Sequence, residues 1–271
     1  NTMIISDTSA LVLNWTSPDI WKSQNAVNYF NRLDLSSADA LLQLFDVKEH
    51  YMHFQAVSNR KFFVRKCAVE FLEKNKDGQV VILAAGIAPM SVELASLYPE
   101  STVYDVDKYL MKAKEKYLNG VCTNIKFIEC DITNIDVLHE SLVQNEWNNV
   151  RPTILIMEGI IYYLQQNDLI NILKFFAPSN SAFACDFGIT PELIDERNRI
   201  FGTEVFRKIK DSVGLNFVNF YDPDYFLKLL DAAGYKLPVR YTMRDIQIER
   251  TSKPAPFDFE NPEWITCVLK C

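Results

Sequence analysis

A glycine-rich phosphate loop, paired cysteines, a histidine cluster, a basic run and a long apolar segment are all missing from this 271-residue chain. Each absence excludes something. Three histidines (His50, His53, His139) and six scattered cysteines (Cys67, Cys122, Cys130, Cys185, Cys267, Cys271) contain no Cys-x-x-Cys pair, so no metal site is expected. Free thiols buried in a reducing cytoplasm are the expectation instead. His50 and His53 are spaced to share a helix face, but no third ligand stands in pattern, and a partly exposed helix surface is the reading. A net charge of −7 without a Lys/Arg cluster argues against nucleic-acid binding. No apolar run approaches the length needed to span a bilayer. The start, Asn1-Thr2-Met3-Ile4-Ile5-Ser6-Asp7, has no basic region followed by a long apolar one, so no secretory signal and a cytoplasmic location are expected.

What is present is a soluble, core-forming composition, 48% hydrophobic and 23% charged. The most informative stretch is Val80-Val81-Ile82-Leu83-Ala84-Ala85-Gly86-Ile87-Ala88-Pro89, followed by Val103-Tyr104-Asp105-Val106-Asp107. An apolar strand, small residues that end it, a helix and a second strand ending in an acid read as the first β-turn-α of a nucleotide-type fold. Small residues there let a backbone approach a ligand, and an acid after the second strand is placed to accept from ribose hydroxyls. Gly-x-Gly-x-x-Gly is absent, with Gly86 alone among Ala84, Ala85 and Ala88, so a tight turn without a nucleotide is the plainer alternative.

Residues 1–78 hold no convincing strand and read as a helical cap, with helices around Ala26–Leu33, through Ala38–Phe54 and from about Asn59 to Lys74. In the last, Val64, Ala68, Phe71 and Leu72 form an apolar stripe. Arg65 falls about 20° from Leu72 on the edge of that stripe, where a cation either snorkels or meets an anion at a junction. From residue 79 to 271 a core domain is expected. Strands at Gln79–Leu83, Thr102–Val106, Asn124–Glu129, Pro152–Met157 and Ser181–Phe187 alternate with helices, the pattern of a doubly wound parallel sheet. Thr190–Gly214 then reads as a long helical insertion and a candidate lid. The β-like stretches Val239–Met243 and Trp264–Lys270 follow, with no helix needed between them, and are expected to be antiparallel neighbours. The whole reads as an α/β, Rossmann-like, seven-stranded sheet of the class I methyltransferase type, its last strand pair antiparallel.

Ligands of such sheets bind outside the carboxyl ends of the strands. Those ends carry Gly86, Asp107, Asp131 and Glu158. Each has a plainer role: Asp107 as a helix cap, Asp131 in a turn, Glu158 solvated. Together they match the needs of S-adenosylmethionine: acceptors for the ribose diol, the adenine amino group and the ammonium. A nicotinamide-dependent oxidoreductase fits the Gly86–Asp107 spacing equally, and a non-catalytic binding module on a decayed fold is a further alternative, suggested by Ala84 and Ala88.

The stretches Asn59-Arg60-Lys61-Phe62-Phe63-Val64-Arg65, Ile82-Leu83-Ala84-Ala85-Gly86, Tyr104-Asp105-Val106-Asp107, Cys130-Asp131-Ile132 and Glu158-Gly159-Ile160-Ile161-Tyr162-Tyr163-Leu164 resemble the motifs of leucine carboxyl methyltransferases and their polyketide-pathway relatives. The resemblance implies an S-adenosylmethionine-dependent O-methyltransferase acting on a carboxylate or hydroxyl of a small molecule or peptide terminus. It implies a cofactor site of Arg65 on the methionine carboxylate, Ala85 and Gly86 beside the methionine, Asp107 on the ribose, Asp131 and Ile132 on the adenine, and Glu158 on the ammonium. Tyr162 and Tyr163 are candidates to position the acceptor, with simple packing as their alternative. The chain departs from the family pattern at Ala84, where glycine is usual, at Ala88, where an acid is usual, and near Glu93, where a basic residue often stands.

Overall fold

A computed structural model describes residue 3 and residues 5–177, 181–214, 216–258 and 265–270. Four helices come first: α1 (Asp7–Asn14), α2 (Gln24–Asn31), α3 (Asp39–Leu42) and α4 (Val47–Lys74). The helix α4 is continuous through Gln55–Ser58, where a break was expected, and starts later than expected. Its start is fixed by a capping box, with Asp46 accepting from the Glu49 N–H at 2.8 Å and Glu49 accepting from the Asp46 N–H at 2.8 Å. Nothing interrupts the helix at Ser58, because that buried hydroxyl donates to the Trp15 carbonyl and accepts from the Ser17 N–H.

Strands and helices then alternate: β1 (Gln79–Leu83), α5 (Met90–Leu97), β2 (Thr102–Asp107), α6 (Met111–Leu118), β3 (Ile125–Glu129), α7 (Ile135–Gln144), β4 (Thr153–Met157), α8 (Gln166–Phe176) and β5 (Ser181–Gly188). After them come α9 (Glu196–Val213), α10 (Pro223–Ala232), β6 (Val239–Thr242), α11 (Met243–Thr251) and β7 (Ile265–Lys270). The sheet order is β3-β2-β1-β4-β5-β7-β6. The five strands β1 to β5 run parallel, and β7 lies antiparallel to both β5 and β6. The expectation that no helix separates the last two strands is corrected by α11. Thr242 ends the strand by becoming a helix cap: its hydroxyl accepts from the Asp245 N–H at 3.1 Å, and the Asp245 carboxylate accepts from the Thr242 N–H at 3.0 Å. Trp264, expected at the start of the last strand, lies outside the described residues, as does Cys271. Cys67, Cys130 and Cys185 are buried free thiols, and Cys122 is half-buried.

Continuous apolar strands bury both faces, successive residues pointing to opposite sides. Val81, Leu83, Val106, Leu155 and Phe183 pack against α7, α8 and α10. Val80, Ile82, Val103, Ile154 and Ile156 pack against α5 and against Phe63, Val64, Ala68 and Leu72 of α4. A third, smaller cluster lies apart from the two sheet cores: Leu11 and Leu13 of α1, Trp15, Phe45 and Val57 meet Val205 and Ile209 of α9 and Ile87 of the loop after β1. This cluster brings the chain's first helix and its late helix α9 together at the sheet's carboxyl edge. Among the described residues no helix is long and apolar enough to cross a membrane.

Candidate active site

The loop after β1 turns twice through the left-handed region, at Ala84 (φ 55°) and Gly86 (φ 51°). For alanine that conformation costs roughly 1–2 kcal/mol, which is the physical content of the departure from glycine at this position. A side chain added to Gly86 would meet nothing within 4 Å, so the loop faces open space there. Side chains from outside hold the loop in place of further glycines. The Tyr29 hydroxyl donates to the Ile87 carbonyl at 2.9 Å and the Lys114 ammonium to the Ala88 carbonyl at 3.0 Å. Lys114 is fully buried and pairs with Asp105 at 2.6 Å, to which Ser91 also donates at 2.5 Å.

Over this loop lies a cavity of about 440 Å³. Its floor is the strand ends, including Ile82, Ile156, Glu158 and the first loop. Its roof includes Thr8, Ser9, Val12 and Leu13 of α1 and Asn216 and Phe217 after α9. That volume lies within the range of small-molecule sites.

One wall carries a buried charge cluster. Glu158, just beyond β4, receives the Arg60 Nε at 2.9 Å and the Lys61 Nζ at 2.9 and 3.1 Å on its two oxygens. Arg60 reaches on to Asp186 of β5 at 3.6 Å. Asp186, with no exposed surface, accepts from the Gly159 N–H at 2.7 Å and from the Tyr162 hydroxyl. Gly159 has φ 73°, and a β-carbon there would come within 3.3 Å of the Arg60 guanidinium, so this position favours glycine. Burial pushes the Glu158 carboxyl up, but Lys61 and Arg60 outweigh it and hold the group below the usual carboxylate range. Burial also lowers Lys61, against the pull of Glu158, and it raises Asp186 because Arg60 offsets only part of the desolvation. Two cations and two carboxylates thus share the wall.

Of the residues expected at the site, Ala85, Gly86, Glu158 and Tyr163 line the cavity. The Tyr163 hydroxyl is pushed up to about 12 by burial. Tyr162 is buried on Asp186 instead of facing the cavity. Asp107 accepts from the Gly86 N–H at 2.9 Å and the Tyr109 N–H at 3.2 Å, shaping the loop from below. Asp131 pairs with Lys108 at 3.0 Å and bonds Thr133, and those contacts hold its carboxyl below its usual value. Ile132 is buried in the core beside it. Neither Asp107, Asp131 nor Ile132 is part of the cavity lining.

Arg65, expected on the methionine carboxylate, is not part of the cavity lining. Its guanidinium lies 2.6 Å from Glu93, a fully buried carboxylate of α5 that also accepts from the Lys22 and Ser23 N–H groups. The anion it meets at the junction is therefore internal, and the unusual acid at position 93 is what captures it. The cations on the cavity are Arg60 and Lys61, which the sequence reading passed over. A signal existed: Lys61, Val64, Ala68 and Leu72 fall at i, i+3, i+7 and i+11, so Lys61 stands within the apolar stripe and Arg65 only at its edge. Asp105 was missed too. It lines the cavity, and its Oδ1 is buried without a hydrogen-bond partner among the described residues.

The sequence model of a family described as leucine carboxyl methyltransferase matches residues 24–177. No curated protein matches the chain. Among solved structures, a DUF574 family protein from Streptomyces avermitilis is similar at 13% identity and a TM-score of 0.64, with 97% of this chain and 96% of that one covered. A candidate methyltransferase from Thermobifida fusca is similar at 15% identity and a TM-score of 0.62, with 94% of each chain covered. At such identities the likeness is one of fold.

Proposed function

The chain belongs to the leucine carboxyl methyltransferase family, and from that premise we propose that it is an S-adenosylmethionine-dependent O-methyltransferase that esterifies a carboxylate of a small molecule or peptide terminus. The observation that carries this reading is the wall of Glu158, Lys61 and Arg60 on the cavity. One carboxylate flanked by two cations matches a zwitterionic amino-acid head: Glu158 for the ammonium, Lys61 and Arg60 for the carboxylate. The open face at Gly86 gives the methionine chain room beside the loop. We place Asp107 under the loop as its support, with Asp131 and Ile132 at the adenine end as the family pattern has them. Family membership sets aside the nicotinamide-dependent alternative.

When bound, S-adenosylmethionine supplies an electrophilic methyl group. The chain's own contribution is to hold an acceptor in line with it and keep water out. No histidine lines the cavity, and the lining carboxylates Glu158 and Asp105 are each already on a cation. A carboxylic acid has a pKa of about 4, is ionised at neutral pH and needs no base; a phenol or alcohol does. The roof side offers Thr8, Ser9, Asn216 and the Tyr163 hydroxyl for hydrogen bonds, and Val12, Leu13 and Phe217 for an apolar body. Helices of residues 1–78 together with 190–214 serve as the cap and lid, and Phe206 of α9 ties the lid to Tyr162, 5.4 Å between ring centres.

The test is transfer of a labelled methyl group to a panel of carboxylic acids and phenols. Label that alkali releases as methanol marks an ester and supports the proposal. Alkali-stable product, or product only from phenols, overturns the carboxylate reading.

A further inference from the structure

Lys61 stands in a peculiar position for a residue assigned to a ligand's carboxylate: it is on Glu158. Both Glu158 oxygens are within 3.1 Å of its ammonium, its side chain is only 4% exposed, and both residues line the cavity. An incoming ammonium needs those same oxygens. Arg60 holds Glu158 independently through Nε and is braced on its far side by Asp186, so Glu158 keeps one cation if Lys61 leaves. The four charged groups of the wall sum to zero, and a zwitterionic head adds one charge of each sign. Exchange therefore preserves both neutrality and pairing. A lysine is suited to the move, with a flexible four-carbon stem and a point charge without a fixed fork.

We propose that Lys61 is a movable placeholder: it occupies Glu158 until an ammonium replaces it, and then passes to the carboxylate of the same ligand. This rests on the head-group reading above and deepens it. The consequence is coupling between the two halves of the head. A ligand with an ammonium alone displaces Lys61 and leaves it buried without a partner, which cancels the gain. A ligand with both groups gives Lys61 somewhere to go. The ammonium thus helps binding only when the carboxylate is present.

Four compounds measure this by calorimetry: S-adenosylhomocysteine, its 3-aminopropyl analogue lacking the carboxylate, its 3-carboxypropyl analogue lacking the ammonium, and 5′-propylthioadenosine lacking both. In the wild-type protein the ammonium is expected to improve affinity about tenfold or more when the carboxylate is present, the scale of a charge-assisted bond. Without the carboxylate it is expected to improve affinity by less than about twofold. In Lys61→Met the aminopropyl analogue is expected to bind tighter than to wild type, and the dependence of one group on the other to shrink severalfold. Lys61→Gln, which keeps a neutral donor near Glu158, guards against a variant that fails to fold and is expected to behave likewise. Equal ammonium effects with and without the carboxylate in wild type overturn the placeholder, as does coupling unchanged in both variants. Failure of S-adenosylhomocysteine to bind wild type is a different outcome, and overturns the cofactor reading on which the placeholder rests.

Discussion

The floor and the roof of the cavity are built in different ways. The floor is the edge of a sheet with apolar strands buried on both faces, its first loop held by Lys114, which pairs with Asp105, and the helices beneath it, α4 and α5, joined by Arg65–Glu93. The roof is a small cluster joined by a few polar ties. Trp15 Nε1 donates to His50 Nδ1 at 3.1 Å, and Lys208 of α9 holds Glu49 of α4 at 2.6 Å. Elements with few buried contacts open at lower cost than the main core. In the proposed function the better-packed floor would fix the cofactor and the less-packed roof would admit the acceptor.

The largest expected effect lies in the floor. Arg65→Ala leaves Glu93 buried without its partner, and loss of one member of a buried pair costs about 3–5 kcal/mol. Denaturant unfolding is expected to show that loss, while S-adenosylhomocysteine affinity of the folded fraction changes less than about threefold. A tenfold loss of affinity with stability intact would return Arg65 to the cofactor site and blur the distinction between a structural and a binding cation.

The roof is expected to fail first in acid. His53, packed on Trp15 and Phe45, is lowered by burial to about 4; Glu49 on α4 pulls it up, and His50 and Lys208 push it down. Its folded value lies below its ordinary value of about 6.5, so the unfolded chain binds the proton more readily. The stabilisation from keeping His53 neutral is therefore present above about pH 6.5 and is lost as pH falls towards 4, by up to about 3 kcal/mol. The difference in stability between wild type and His53→Leu, followed across that range, isolates this group. Hydrogen exchange is expected to show α1 and α9 opening before the strands. A difference that does not vary with pH would remove the acid sensitivity assigned to the roof.

The smallest effect sharpens the account of the first loop. Ala84 sits at a positive φ, so Ala84→Gly is expected to stabilise the protein by up to about 1 kcal/mol, the relief of strain being partly offset by the freer unfolded chain. Thermal unfolding measures it. A clear destabilisation would mean that the alanine methyl makes packing contacts worth more than the strain.

The same division explains what could be read from the chain beforehand. Strands such as Thr153–Met157 announce themselves because burial on both faces leaves an unbroken apolar run from Ile154 to Met157, and Glu158 follows as the first charge after the run. Gly86 is legible for the same reason. Of the roof, α9 was legible as the helical stretch of 190–214, but α1 gave no comparable signal. An eight-residue helix, Asp7–Asn14, has too few turns to establish a period, and it meets α9 only across most of the sequence. Arg60 and Lys61 were hidden by their own helix, because one stripe of α4 packs on the sheet at Val64 and Leu72 and runs past the sheet's edge at Lys61. Arg65 looked more exceptional only because its partner, Glu93, is buried on a different element. Asp107 and Asp131 were recognisable as strand-end acids, but their contacts with Gly86, Tyr109, Lys108 and Thr133 depend on loop geometry that spacing does not encode.

The central claim, that the Glu158 wall receives the amino-acid head of S-adenosylmethionine, is tested most directly by titrating S-adenosylhomocysteine into the wild-type protein and into Glu158→Gln. Glutamine keeps the shape of the side chain and removes the charge that an ammonium requires. Wild type is expected to bind, and Glu158→Gln to bind at least about tenfold more weakly, with 5′-methylthioadenosine, which has no head group, affected less than about threefold. No binding to wild type, or equal weakening of both compounds, would contradict the assignment.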